Sequence, residues 1–315
     1  MKNIKIINGI TNFQNQKKPL VLAMGMFDGV HLGHQKVILE AKNLAREIDG
    51  TVFVLTFDTH PRKLLSNQND FGILTTNEEK TEILAKLDVA GILFLYFDKQ
   101  TSSMEPEKFV EQELVNKLGI KGLVVGEDFR FGKDGQGDVL LLKNLAKKYK
   151  FYLKSVENIK FNDLKISSTL IKNELLDENL DAANLHLGYN FLIKNKVIKG
   201  LQIARKFDVP TANVHIPSGK ILPNGVFAGL TEWQNKKYPS VISVGHRQTL
   251  EQHKQLCLET HLLDFENEIY GDEVEVSFCK KIREQQKFEN LDLLFARVKE
   301  DIKEAKKYFK KGKTN

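Results

Sequence analysis

The sequence predicts an α/β domain built on a parallel sheet, then a small antiparallel β-barrel with a C-terminal helix. Three features carry that reading. Apolar, β-branched runs alternate with helical patterns in the first half, short strands separated only by Gly, Pro or Asn turns begin at Tyr189, and one long amphipathic stripe ends the chain. With 315 residues and 41% hydrophobic content the chain can fill two cores, which places domains at 1–187 and 188–315.

Leu20-Val21-Leu22-Ala23 is the first strand, and a helix follows over 35–48. Residues 51–57 are β-branched and aromatic with no polar alternation, the pattern of a strand buried on both faces. They run into Asp58-Thr59-His60-Pro61-Arg62, and open α/β sheets hold ligands at the C-terminal ends of such strands. A helix over 77–87, a strand over 91–97 and a helix opening near Pro106 come next, proline being favoured in a first helical turn. Leu123-Val124-Val125 is a short strand, 139–149 a helix, 151–156 a strand, and 176–186 a polar, helix-like exit. The barrel strands are 191–193, 197–198, 226–228, 241–244, 256–261 and 274–278. Leu291, Leu294, Val298, Ile302, Ala305 and Phe309 then share one helical stripe, which packs on the barrel.

The loop Met24-Gly25-Met26-Phe27-Asp28-Gly29-Val30-His31-Leu32-Gly33-His34 joins the first strand to its helix. A helix N-terminus leaves N–H groups unpaired and carries roughly half a positive charge, so it holds phosphate. Gly33 lets a phosphate approach the backbone, and His31 and His34, three apart, share a face of the first turn. Two imidazole donors beside such a turn suit a reaction that builds negative charge on a phosphoryl oxygen, which predicts nucleotidyl transfer. His-x-x-His is also half of a metal site, but no neighbouring Cys or His cluster completes four ligands.

Three further stretches carry chemistry. The Gly-rich loop 126–137 interleaves Asp128 and Arg130, the latter a buried-prone arginine, with Phe129 and Phe131, a mixture that favours ligand binding. Ser167 or Ser168 caps a helix, and the remaining hydroxyls, Thr169 included, with Lys172 one turn on, suit a second phosphate grip. In the barrel, Thr211 and Asn213 project to one side of an extended segment, either as hard oxygen ligands for Mg²⁺ or as a turn entering a strand. Glu259, inside an apolar strand, is either a salt-bridged structural group or a base.

No apolar run is long enough for a membrane span, and the first eight residues lack the shape of a signal peptide, so a soluble, cytoplasmic protein is expected, monomeric or weakly self-associating. Cys257 and Cys279 form neither a CxxC motif nor a framework and read as packing thiols. The net charge of +6 favours anionic partners, yet much of it sits in the lysine-rich tail, and the barrel lacks the basic and aromatic stripe of a nucleic-acid binder. Small phosphates are the expected partners.

Taken together these stretches resemble the bifunctional prokaryotic riboflavin kinase/FAD synthetase family. Gly25 to Gln35 follows its G-x-F-D-G-V-H-L-G-H-Q run, His60-Pro61 its H-P pair, 126–132 its G-x-D-F-R-F-G loop and 167–171 its S-S-T-x-I segment. Roughly 189–302 is similar to its riboflavin kinase module. The resemblance implies a Rossmann-like nucleotidyltransferase domain that adenylylates FMN and a six-stranded barrel that phosphorylates riboflavin, with ATP as co-substrate, Mg²⁺ as cofactor, and FMN and FAD as products. By position it makes His31 and His34 stabilise the α-phosphate transition state, and gives ATP to Gly25, Phe27, Gly33, Ser167, Thr169 and Lys172. It sets His60, Asp128, Phe129, Arg130 and Arg283 on the flavin substrates, Mg²⁺·ATP at Thr211 and Asn213, and Glu259 as the base for the ribityl 5′-hydroxyl. The departures from the family pattern include Lys172 where it usually has Arg, Ala204 and Asp208 in place of two glycines, and Gln248 in place of the proline of an R-P-T-F segment. The altered glycine positions define the alternative, an FMN adenylyltransferase whose barrel only binds flavin.

Overall fold

The computed structural model describes residues 4–14, 17–58, 72–200, 207, 209–247 and 255–312. The chain divides into two compact units, Met1–Phe71 with Asn77–Ser168, and Gly72–Thr76 with Thr169–Asn315. Six strands build the first unit: β1 (Lys5–Asn8), β2 (Leu20–Met24), β3 (Thr51–Phe57), β4 (Gly91–Leu95), β5 (Gly122–Gly126) and β6 (Tyr152–Val156). They form one sheet in the order β1-β4-β3-β2-β5-β6 with every pairing parallel. All residues of β2 and β4 are buried, as a parallel sheet covered on both faces requires.

The covering helices are α1 (Leu32–Glu47), α2 (Asn77–Lys86) and α3 (Val139–Tyr149), and a helical turn, Pro106–Lys108, that continues as a π-helix over Phe109–Lys117. Leu22, Phe53, Leu93 and Leu123 share a core with Phe109, Leu114 and Leu142. Burial of each such side chain contributes about 1.5–3 kcal/mol. Asp138 caps α3 by accepting from the Leu141 N–H at 2.9 Å. Strand order reverses at β2, which lies between β3 and β5, and the sheet's ligand crevice is expected beyond the C-terminal ends of strands at such a point.

After α4 (Ser168–Leu176) and α5 (Leu180–Leu187), β9 (Leu192–Ile198), β10 (Ala212–Val214), β11 (Gly225–Trp233), β12 (Lys236–Arg247), β13 (Gln255–Leu262) and β14 (Glu273–Arg283) close an antiparallel barrel. Within the first unit, β7 (Lys160–Phe161) and β8 (Leu164–Lys165) form a hairpin. Phe227, Ile242, Thr260 and Phe278 are fully buried and fill the barrel, with the Thr231 and Thr260 hydroxyls paired at 2.9 Å. A six-stranded barrel so packed leaves no room for a ligand inside. Helix α6 (Leu291–Lys310) lies on its outer face, where Ala305 joins Val226, Ala228 and Val241 in one cluster.

The fold class agrees with the sequence reading, and the differences have local causes. Helix α1 starts at Leu32 rather than residue 35 because His31 serves as its cap. Residues 192–193 and 197–198 belong to one strand, with Phe191 just before it, and the exit 176–186 is broken at Asn179, which caps α5 through the Ala182 N–H. Strands β1, β7, β8 and β10 are two to four residues long, too short for a periodic signal. Burial pushes the Cys279 thiol up to about 11, in keeping with a packing role. Among the described residues no helix is long and apolar enough to cross a membrane.

Candidate functional site

The first candidate site forms where the chain leaves β2. Residues 25–31 turn sharply, with Phe27 at φ 50°, Gly29 at 79° and Val30 at 36°. Left-handed φ is unusual for any residue with a Cβ and an outlier for β-branched valine, so this turn is held by its surroundings. Gln35 Nε2 donates to the Val30 carbonyl at 2.9 Å, and Ser168 Oγ to the Asp28 carbonyl at 2.8 Å. His31 is the N-cap of α1; its Nδ1 accepts from the His34 N–H at 3.4 Å, which leaves Nε2 to carry the proton. The two imidazoles stack at 3.7 Å between centroids, and Phe27 packs on His34 at 5.1 Å. A Cβ at Gly33 would fall 3.1 Å from the His31 ring, so the glycine makes room for the imidazole as well as for a ligand.

Burial lowers the His31 pKa from 6.5 to about 4, a shift that Asp28 opposes and Lys165 assists. His34 is held well below the ordinary imidazole range by burial, then by His31, Lys80 and Lys165. Both rings are neutral near pH 7, and each carries one N–H. His34 Nδ1 is buried and has no hydrogen-bond partner among the described residues. Phe27 is buried, so its ring supports His34 and any contact with nucleotide falls to its backbone.

The other sequence candidates of residues 1–187 lie on loops and on α4. Asp128 pairs with Lys165 of β8, a partner that spacing did not reveal. Phe129 stacks on Phe131 at 5.8 Å, and Phe131 packs on Phe109 of the π-helix. Arg130 departs from expectation: it is exposed, its guanidinium 3.5 Å from Asp138, because its neighbours Phe129 and Phe131 turn toward the core and leave it the solvent side. Helix α4 begins at Ser168, so Ser167 occupies the capping position, Thr169 is exposed and Lys172 is half-buried. His60, Ala204, Asp208 and Gln248 lie outside the described residues.

The second site lies on the outside of the barrel, beneath the first turns of α6. Strand pairing sets Asn213 opposite Glu259, Glu259 opposite Ser243, Ser243 opposite Val226 and Val226 opposite Arg283. This row of cross-strand neighbours shares the outer face and lines a cavity of about 260 Å³ together with Thr211, His261 and Gln285. All four barrel residues singled out in the sequence, Thr211, Asn213, Glu259 and Arg283, therefore meet. Leu291, Leu294, Phe295 and Val298 form the apolar wall, the upper half of the helical stripe.

Asp301, Gln285, His261 and Gly200, which the sequence did not single out, complete the cavity's frame. Arg283 donates to both oxygens of Asp301, Nε to Oδ1 at 2.9 Å and Nη2 to Oδ2 at 2.8 Å, which ties β14 to α6. Asp301 is almost fully buried, and breaking such a pair from one side costs about 3–5 kcal/mol. Gln285 Nε2 donates to Ser243 Oγ and to the Val244 carbonyl, both at 3.0 Å. His261 Nδ1 lies 2.7 Å from the Pro210 carbonyl, so its ring braces the segment that carries Thr211; burial lowers its pKa. At Gly200 a Cβ would fall 2.3 Å from Asn213 Nδ2, so only glycine lets that amide lie as it does.

Comparison with known proteins matches both halves of the chain. The FAD synthetase family model covers residues 13–170 and the riboflavin kinase model residues 187–309. A bifunctional riboflavin kinase/FMN adenylyltransferase of Buchnera aphidicola is 34% identical over 97% of this chain and 99% of its own, and that of Escherichia coli K12 is 35% identical over 97% and 98%. A solved structure described as a macrolide-efflux protein from Streptococcus pneumoniae superposes with a TM-score of 0.86 at 28% identity, covering 96% of this chain and 99% of that one. Both halves are thus matched in one order along one polypeptide, and the chain belongs to the bifunctional riboflavin kinase/FMN adenylyltransferase family.

Proposed function

We propose that the chain phosphorylates riboflavin to FMN at the barrel cavity and adenylylates FMN to FAD at the β2–α1 turn. The observation that carries the first half is the row Asn213–Glu259–Ser243, which sets a carboxylate between two polar groups at the mouth of an apolar cavity. We divide the chain into catalytic modules at 1–187 and 188–315, a reading supported by family models over residues 13–170 and 187–309.

In the barrel, Glu259 accepts the proton of the ribityl 5′-hydroxyl as that oxygen attacks the γ-phosphorus of ATP, and ADP leaves. Arg283 and the apolar wall of α6 border the flavin. Thr211 and Asn213 suit Mg²⁺: a hydroxyl and an amide oxygen are hard donors, and the phosphates and waters complete the shell. When bound, Mg²⁺ neutralises charge developing on the transferred phosphoryl group.

In the first unit, a phosphate oxygen of FMN attacks the α-phosphorus of ATP, and the bond to pyrophosphate breaks. His31 and His34 donate N–H groups to the α-phosphate oxygens, and Gly25, Gly33 and the Phe27 backbone let the nucleotide approach. Ser167, Thr169 and Lys172 hold the leaving phosphates, lysine supplying charge without the two-point grip of arginine. His60, Asp128, Phe129 and Arg130 receive FMN. We place the enzyme in the cytoplasm, a reducing compartment that keeps Cys257 and Cys279 as thiols.

The test is to supply riboflavin or FMN with ATP and to separate the flavins formed. FMN production from riboflavin is expected to stop with EDTA and to return with Mg²⁺; undiminished production under chelation refutes the cation's role. Gly200→Ala is expected to displace the Asn213 amide and lower riboflavin phosphorylation by about tenfold or more, while FAD formation from FMN is retained. Loss of both activities together would show that Gly200 serves folding alone.

A further inference from the structure

Lys80, on α2, has no place in the reactions described above, yet it is only 5% exposed. Its Nζ donates to the Met26 carbonyl at 3.1 Å, and the same oxygen accepts from Thr56 Oγ1 at 2.9 Å. Met26 opens the turn in which Phe27 and Val30 hold left-handed φ, a geometry that costs of order 1–3 kcal/mol at each residue and persists only when neighbours enforce it. Burying an ammonium also costs several kcal/mol, here offset in part by Asp28 of the turn and Asp58 after β3. Resting on the reading of His31 and His34 as the α-phosphate donors, we propose that Lys80 is a positioning residue for adenylyl transfer: it clamps the Met26 carbonyl and sets a positive charge behind the imidazole pair.

The surroundings fit that role. The charged and titratable groups about the pair are Asp28 from the turn, Asp58 from the end of β3, Lys80 from α2 and Lys165 from β8. Lys80 and Lys165 disfavour a proton on His34, and Asp28 favours one on His31. Lys165 is spent on Asp128 at the surface, whereas Lys80 approaches from within the fold. Burial lowers the Lys80 pKa to about 8, so the ammonium is charged near pH 7, where it links the shape of the turn to the proton held on the rings.

The test compares wild type with Lys80→Met, Lys80→Arg and His31→Ala, measuring FAD formation from FMN against pH and riboflavin phosphorylation in the same preparations. In Lys80→Met, kcat for FAD formation is expected to fall about 10–10²-fold with KM for ATP changed by less than about threefold. The limb of its pH profile that belongs to the imidazoles is expected to move upward by about 0.5–1 pH unit, because a like charge has been removed. Riboflavin phosphorylation stays unchanged, and Lys80→Arg returns the pH limb toward wild type. An unchanged kcat and pH limb in Lys80→Met, or equal loss of both activities, overturns the proposal. If Lys80→Met matches wild type while His31→Ala is slow, only the clamp is wrong; if His31→Ala is also as fast as wild type, the site reading itself fails.

Discussion

Glu259→Gln is expected to slow FMN formation by about 10²–10⁴-fold, the range a general base contributes, while FAD formation from supplied FMN continues at the wild-type rate. Glutamine has the same length and nearly the same volume, so the β10–β13–β12 register that sets position 259 between Asn213 and Ser243 is preserved. What the variant loses is the ability to take a proton. Substrate contacts along the α6 wall are untouched, so the loss is expected in kcat, with KM for riboflavin altered by less than about threefold. Timed product separation by HPLC from riboflavin and ATP measures it. Wild-type turnover in the variant would remove Glu259 from the chemistry and leave it a structural member of the row.

The parts of this molecule that were legible in the sequence are those where local pattern and burial agree. Strands β2 and β3 are continuous apolar runs buried on both faces, and α3 is bracketed by the Asp138 cap and a left-handed Lys150. Glu259 and Asn213 stood out because polar residues interrupt extended segments, and Ser243, in the run Val241-Ile242-Ser243-Val244, gives the same signal. Their meeting was not legible, since antiparallel register fixes which residues face one another and a one-residue slip would turn each side chain to the opposite face. Lys80 was hidden for another reason. It follows Asn77-Glu78-Glu79, which reads as a solvated helix end, and its partner Met26 is 54 residues away in sequence. Histidine is outside the usual set of helix caps, so the start of α1 was read three residues late. Arg130 shows the converse error: alternation with two aromatics suggested burial, but the aromatics turn inward and the arginine outward.

His31→Ala is expected to lower FAD formation by about 10²–10³-fold, the cost of removing one preorganised donor from a developing oxyanion, with riboflavin phosphorylation unaffected. The substitution removes three things at once: the Nε2–H donor, the cap on the His34 N–H and the ring stacked on His34. Replacement by Asn, a good N-cap that keeps an acceptor for that N–H, separates them. Helix capping is retained in His31→Asn, so a rate close to that of His31→Ala assigns the loss to the imidazole, and recovery to wild type assigns it to the cap. Stability supplies an independent reading. The folded protein holds His31 at about 4 against 6.5 for a free imidazole, so between those values the unfolded chain binds more protons and stability falls as pH falls. Removing the ring deletes that contribution. Denaturant midpoints of His31→Ala are therefore expected to vary less between pH 6.5 and 4 than those of the wild type, and to differ little in pH slope above 7. An acid sensitivity unchanged by the substitution would mean that His31 is not the buried neutral imidazole from which its role at the α-phosphate is argued.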